Sequence, residues 1–160
     1  MHDAARDFIR RQVSHFSVLE IGSLDVNGGI RDLFAGWDYL GIDRIEGNGV
    51  DVVADGATFE TSKRFDVVVS CEAFEHTDNW RAVVVNVARL LRPGGYFFGT
   101  AAGPGRPPHK CNGKPLKDRS EWYENIEPVE LTKCLEQNHF IDVIVEQRMA
   151  DVRWSARKPV

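Results

Sequence analysis

The sequence predicts an α/β fold: a single domain with a doubly wound sheet, mainly parallel and with an antiparallel C-terminal strand. Two observations carry this expectation. Short apolar strands alternate with helical segments along the chain, the order that builds a parallel sheet with helices on its faces. The strands are also apolar on both sides, most plainly FDVVVS at 65–70, as suits a sheet covered on both faces. At 160 residues the chain fits one domain spanning 1–160, able to bury roughly 70% of its unfolded surface.

From Asp3 to Phe16, the apolar residues Ala5, Phe8, Ile9, Val13 and Phe16 recur at three- and four-residue steps, which predicts an amphipathic helix. A strand over 17–21 follows, then a turn-rich loop and a weak helix around 30–34. Further strands are expected at 39–42, 50–54 and 65–70, ending at Asp43, Asp55 and Cys71 in turn. The segment DNWRAVVVNVARLLRPGG predicts the clearest helix. Trp80, Val83, Val84, Val87, Leu90 and Leu91 form its apolar side, Asp78 caps its start and Pro93-Gly94-Gly95 ends it. Trp80 falls on that stripe and reads as core. A fifth strand covers 96–100. Pro128 opens a helix to Asn138, and strands at 140–146 and 152–156 close the chain as a hairpin. Residues 102–126, rich in Pro, Gly and Lys, have no regular pattern and read as a long functional loop.

Composition narrows the function classes. A content of 42% hydrophobic and 28% charged residues is that of a globular protein, and no apolar run reaches the ~18 residues of a membrane span. The N-terminus MHDAARDFIRRQ lacks the apolar core of a secretory signal, so a cytoplasmic location is expected. Cys71, Cys111 and Cys134 form no CxxC pair and read as reduced thiols. A net charge of −4 argues against nucleic acid as a partner. Arg106, Lys110, Lys114, Lys117 and Arg119 against the single Asp118 make the 103–119 stretch locally basic.

In an open α/β sheet, ligands collect beyond the carboxyl ends of the strands. The polar residues there are Glu20 and Gly22, then Asp43, then Asp55, then Cys71-Glu72-Ala73-Phe74-Glu75-His76. A dinucleotide needs glycines at GxGxxG spacing so that the backbone can approach a pyrophosphate. Asp43, 21 residues after Gly22, suits a ribose, but Leu24 and Asn27 occupy the second and third glycine positions. S-adenosylmethionine has no phosphate and carries two positive groups, so it suits a rim of carboxylates better.

At these residues the chain resembles the class I S-adenosylmethionine-dependent methyltransferases, in particular the small methyltransferases of the broad type-11 group. The resemblance spans 16–101 and rests on VLEIGS, YLGID, DVVADG, FDVVVSCEAFEHTDNW and LLRPGGYFFGT in family order. The opening loop departs from ExGxGxG, reading Glu20-Ile-Gly22-Ser23-Leu24-Asp-Val26. The resemblance implies a Rossmann-like fold, S-adenosyl-L-methionine as cofactor and S-adenosyl-L-homocysteine as product.

It also implies roles. Gly22 and Ser23 would pass close to the cofactor, and Glu20 would orient their loop or meet the methionine ammonium. Asp43 would accept the ribose hydroxyls. Asp55 would accept from the adenine amine, with Gly56 or Ala57 offering a backbone N–H, and Cys71 and Glu72 would border the methionine portion. Glu75, His76 and His109 are the candidates for a catalytic base. The basic loop 102–126 would receive the acceptor, a small and acidic molecule, and a homodimer would complete the site. His109 and Cys111 are too few for a zinc site, so no metal is expected. Two other classes stay open: a non-catalytic binding module with this fold, favoured by the departed glycine loop, and a nicotinamide-dependent oxidoreductase.

Overall fold

The structure, a computed structural model, describes residues 16–160; the opening helix expected at 3–16 lies outside them except for Phe16. Seven strands are formed: β1 Ser17–Ile21, β2 Asp38–Asp43, β3 Val52–Val53, β4 Phe65–Cys71, β5 Leu91–Ala102, β6 Ile141–Arg148 and β7 Asp151–Arg157. Two α-helices, α1 Trp80–Leu90 and α2 Pro128–Gln137, cross between them. The strands make one sheet in the order β3-β2-β1-β4-β5-β7-β6. Strands β1 to β5 are parallel, and β7 runs antiparallel to both β5 and β6. The expected α/β class and mainly parallel sheet are thus present.

The sheet is apolar on both faces, as the β-branched runs predict. On one face Leu19, Val68 and Phe97 pack with Trp80, Val83, Val84 and Val87 of α1 and Leu131 and Leu135 of α2. On the other, Val18, Val67 and Val69 pack with Ile30, Phe34, Trp37 and Tyr39. The chain order of β1 and β4 at the centre matters for function. Both are buried almost throughout, and both deliver their last residues to the same edge. Among the described residues no helix is long and apolar enough to cross a membrane.

Several boundaries differ from expectation, each for a local reason. The strand expected at 50–54 shrinks to Val52–Val53, because a turn bonds Val50 N–H to the Gly47 carbonyl and the Asp51 carboxylate takes the Gly41 N–H. The weak helix around 30–34 is a single 3₁₀ turn, Arg31–Phe34, confined by Gly28-Gly29 and Gly36. Asp78 does not cap α1. Asn79 holds the cap position, and its side-chain oxygen instead accepts from the Thr77 hydroxyl. Leu91 leaves the helix for an extended conformation and pairs with Phe65, so β5 starts before Pro93-Gly94-Gly95 and absorbs it at a register shift. The closing strands run 141–148 and 151–157, longer than expected, because Met149 at φ 55 makes the hairpin turn tight.

Candidate functional site

The loop leaving β1 is held first by backbone bonds. The N–H groups of Gly22 and Ser23 both donate to the Ile42 carbonyl, at 2.9 and 3.0 Å, and Asp25 N–H donates to the Asn48 carbonyl at 2.9 Å. Gly22 has φ +83, a left-handed conformation that costs a side-chain-bearing residue energy, so glycine is needed there for backbone reasons as well as space. Further on, the Asp25 carboxylate accepts the Gly28 N–H at 2.8 Å and turns the chain toward the 3₁₀ segment.

Around this loop lies a cleft of about 720 Å³ at the carboxyl ends of β1, β2 and β4. Glu20, Gly22, Ser23, Asp43, Asp55, Gly56, Cys71 and Glu72 all line it, as does His76. Glu20 is only 6% exposed and accepts a hydrogen bond from the Tyr39 hydroxyl. Burial raises its pKa above the ordinary carboxylate value, against the lowering effect of Tyr39. Asp43 uses one oxygen to accept the Leu24 N–H at 3.2 Å and the other to accept the Ile45 N–H at 2.9 Å, tying two rim loops together. Asp55 accepts the Ala57 N–H at 2.8 Å, so that N–H is already spent and Gly56 is left as the backbone donor of the expected pair. Ser23 lines the wall, but its hydroxyl is buried without a partner. Burial pushes the Cys71 thiol up, and Glu72 sits at φ 52, where its carboxylate accepts from the Thr100 hydroxyl at 2.8 Å.

Beyond the methionine end expected of the cleft, Glu75, His76 and His109 come together although 33 residues separate the two histidines. Their rings are 5.0 Å apart at 86°, and Tyr123 stands 5.0 Å from His109 and 5.7 Å from His76. Only His76 of the three lines the main cleft. Burial, reinforced by His109, lowers the His76 pKa to about 4. Glu75 is fully buried, with one oxygen accepting the Ala102 N–H at 3.1 Å; burial and the Glu72 charge push its pKa up to about 8.

The loop after β5 roofs this corner. Cys111, Glu121 and Trp122 line the cleft, and a Cβ on Gly113 would lie 3.4 Å from the Asn27 side chain on the opposite rim. Arg106 does not count toward the free positive charge of this loop, since it pairs with Asp151 and with Glu72. Lys110, Lys114, Lys117 and Arg119 make no ion pair among the described residues.

A family profile described as a methyltransferase domain matches residues 34–99, which take in Asp43, Asp55 and the Cys71–His76 segment. Over 99% of its length the chain superposes on 78% of the Burkholderia thailandensis 1,6-didemethyltoxoflavin-N1-methyltransferase, with a TM-score of 0.67 and 18% identity. The fold is that of the class I methyltransferases. The same share of the chain matches 53% of the Haemonchus contortus phosphoethanolamine N-methyltransferase 2 (TM-score 0.65, 16% identity), so it spans about half of that protein. It matches 97% of the N-methyltransferase NodS from Bradyrhizobium japonicum (TM-score 0.61, 14% identity). No curated protein matches by sequence.

On this fold, the strand-end residues expected from sequence line one cleft, all but the buried Glu75. Sequence reasoning missed Tyr39, the hydrogen-bond partner of buried Glu20, and Trp122 and Tyr123, which arrive from the roof loop. Tyr39 had a signal, since a tyrosine beside a buried glutamate gives it a donor. Trp122 and Tyr123 had none, because no periodicity announces where a 25-residue-scale loop returns.

Proposed function

We propose that this chain is an S-adenosylmethionine-dependent methyltransferase acting on a small acidic acceptor. The observation that carries the reading is the convergence of Glu20, Asp43 and Asp55 with the side-chain-free backbone of Gly22 on one cleft of about 720 Å³. The residues fit the group. Carboxylates suit an ammonium, a ribose diol and an adenine amine, and Arg44, the only Lys or Arg lining the cleft among the described residues, already donates to the His76 carbonyl. In this reading Asp43 accepts from the ribose, Asp55 from the adenine amine, and Gly56 offers its N–H to the ring. Glu20 faces the methionine ammonium, with Cys71 and Glu72 beside that portion. Ser23 contributes backbone, its hydroxyl being buried.

When bound, the cofactor would supply a methyl group activated for in-line displacement by its attachment to a positive sulfur. The chain's own task is positioning, worth several kcal/mol when nucleophile and methyl are held in contact. A protonated acceptor also needs its proton taken. In this reading His76, on the cleft wall, takes it, with His109 behind it and Glu75 tied to Ala102. Lys110, Lys114, Lys117 and Arg119 on the roof loop are the cations that would draw an acidic acceptor. The domain reads as one unit over 1–160 and as a cytoplasmic enzyme. Its dimerisation and the acceptor-binding role of 102–126 belong to the same proposal.

Calorimetric titration with S-adenosylhomocysteine and, separately, NADH tests the reading. Saturable binding of the first, weakened tenfold or more by Asp43→Ala, is expected. Binding of NADH instead, or of neither, would overturn it.

A further inference from the structure

The Glu75, His76 and His109 cluster has donors that the methyltransferase reading leaves unused. One oxygen of Glu75 and Nδ1 of His76 are buried with no hydrogen-bond partner, and Glu75 itself is 0% exposed. A buried polar atom without a partner is costly and calls for one. One donor atom from each of the three residues lies within 4.8 Å of the others.

We infer that Glu75, His76 and His109 form a binding site for a divalent first-row transition ion at the acceptor side of the cleft. Two imidazoles and one carboxylate are a donor set that binds such ions and leaves positions open for a further ligand. The second shell is in place on both sides. His109 Nδ1 lies 3.2 Å from the Pro107 carbonyl, which can only accept, so Nδ1 carries the proton and Nε2 presents its lone pair. The Ala102 N–H, at 3.1 Å, orients the other Glu75 oxygen. Bonds of about 2.1 Å bring donors to about 3–3.5 Å from one another, so the three close by less than about 2 Å. Glu75 and His76 share one short 3₁₀ segment, so the closure is a matter of the His109 side chain on the roof loop. Cys111, which the sequence pairs with His109, accounts for none of these three donors. Because His76 also lines the cleft, an ion here would face the acceptor and make an acceptor hydroxyl more acidic, replacing His76 as the means of removing its proton; this role rests on the proposed methyl transfer, whereas ion binding does not.

The test is titration of the untagged, chelator-treated full chain with Co²⁺, read by visible d–d absorption, and with Zn²⁺ in competition with a chromophoric chelator. One equivalent of each is expected to bind, with a tenfold or greater loss in His109→Ala and in Glu75→Gln. Cys111→Ser should bind as the native chain does. His109→Ala alters only a loop side chain, so its thermal unfolding should match the native protein and keeps the test valid if Glu75→Gln folds poorly. Sub-stoichiometric binding, His109→Ala affinity within twofold of native, or loss in Cys111→Ser alone would each overturn the site. S-adenosylhomocysteine binding is measured on the same samples, so failure of the ion site and failure of the methyltransferase reading are told apart.

Discussion

A Cβ built on Gly22 would fall 2.4 Å from the Cβ of Ala73, so the loops leaving β1 and β4 touch with no room for a methyl group. Glu20 near the end of β1 and Glu72 just past β4 flank the contact, and the clamp therefore sets the width of the cleft. Gly22→Ala combines that clash with φ +83 and should cost about 2 kcal/mol or more. Urea unfolding measures the loss. Pairing it with Ala73→Gly should restore only the steric part, so full recovery in the double variant would show that backbone strain contributes nothing.

The Glu20 and Tyr39 pair predicts a pH dependence of stability. With its pKa raised in the fold, Glu20 holds its proton more tightly folded than unfolded. Its contribution is then fully present below about 4.5, the ordinary value, and is lost as pH rises through the raised one. Glu20→Gln should flatten that part of the curve, as followed by thermal unfolding from acid to neutral pH. An unchanged curve would sink the assignment. A cationic ammonium beside Glu20 favours its ionised form, so ligand binding near the raised pKa should release a proton, visible as a buffer-dependent heat.

Trp122, half exposed on the cleft wall, should report ligand entry. Saturating S-adenosylhomocysteine is expected to change the intrinsic fluorescence, and Trp122→Phe should remove most of the change. If the signal survives in that variant, Trp122 does not sense the ligand.

Arg106 ties the root of the roof loop to β7 through Asp151 and to the cleft through Glu72. These pairs are partly exposed, so Arg106→Ala should cost stability by no more than about 1 kcal/mol. Its larger effect should be faster proteolytic cleavage within 103–126. Equal cleavage rates in the two proteins would show that the loop is held by other contacts.

Lys110 and Lys114 carry the expectation of an acidic acceptor. Lys110→Ala with Lys114→Ala should weaken acceptor affinity severalfold at low salt and little at high salt, since exposed charges are screened. Acceptor affinity unchanged at both salt levels would remove the loop's charge from recognition.

Glu20, Asp43 and Asp55 were legible because each lies at or just past the carboxyl end of an apolar run, and parallel strands deliver those ends to one edge by geometry alone. Strand Phe65–Cys71 was legible because seven residues of near-continuous apolarity have no other soluble use. The 50–54 strand was overextended because the Asp51 carboxylate, which replaces a ladder partner, looks from sequence like any acidic turn residue. Leu91 was misplaced because its spacing fits the helix stripe, and only pairing with Phe65 decides otherwise. The meeting of His76 with His109 and Tyr123 was not legible at all. It depends on where a patternless loop lands, which is set by Arg106, by the Glu124 N–H bond to the Glu75 carbonyl, and by Ile126 in the core.

Gly113 and Asn27 approach across the mouth of the cleft, near enough that a Cβ on Gly113 would lie 3.4 Å from the Asn27 amide. A glycine and a short amide bring little apolar surface to that approach. The roof loop is therefore held at its roots, by the Arg106 pair with Asp151 at one end and by buried Ile126 at the other, rather than at its tip.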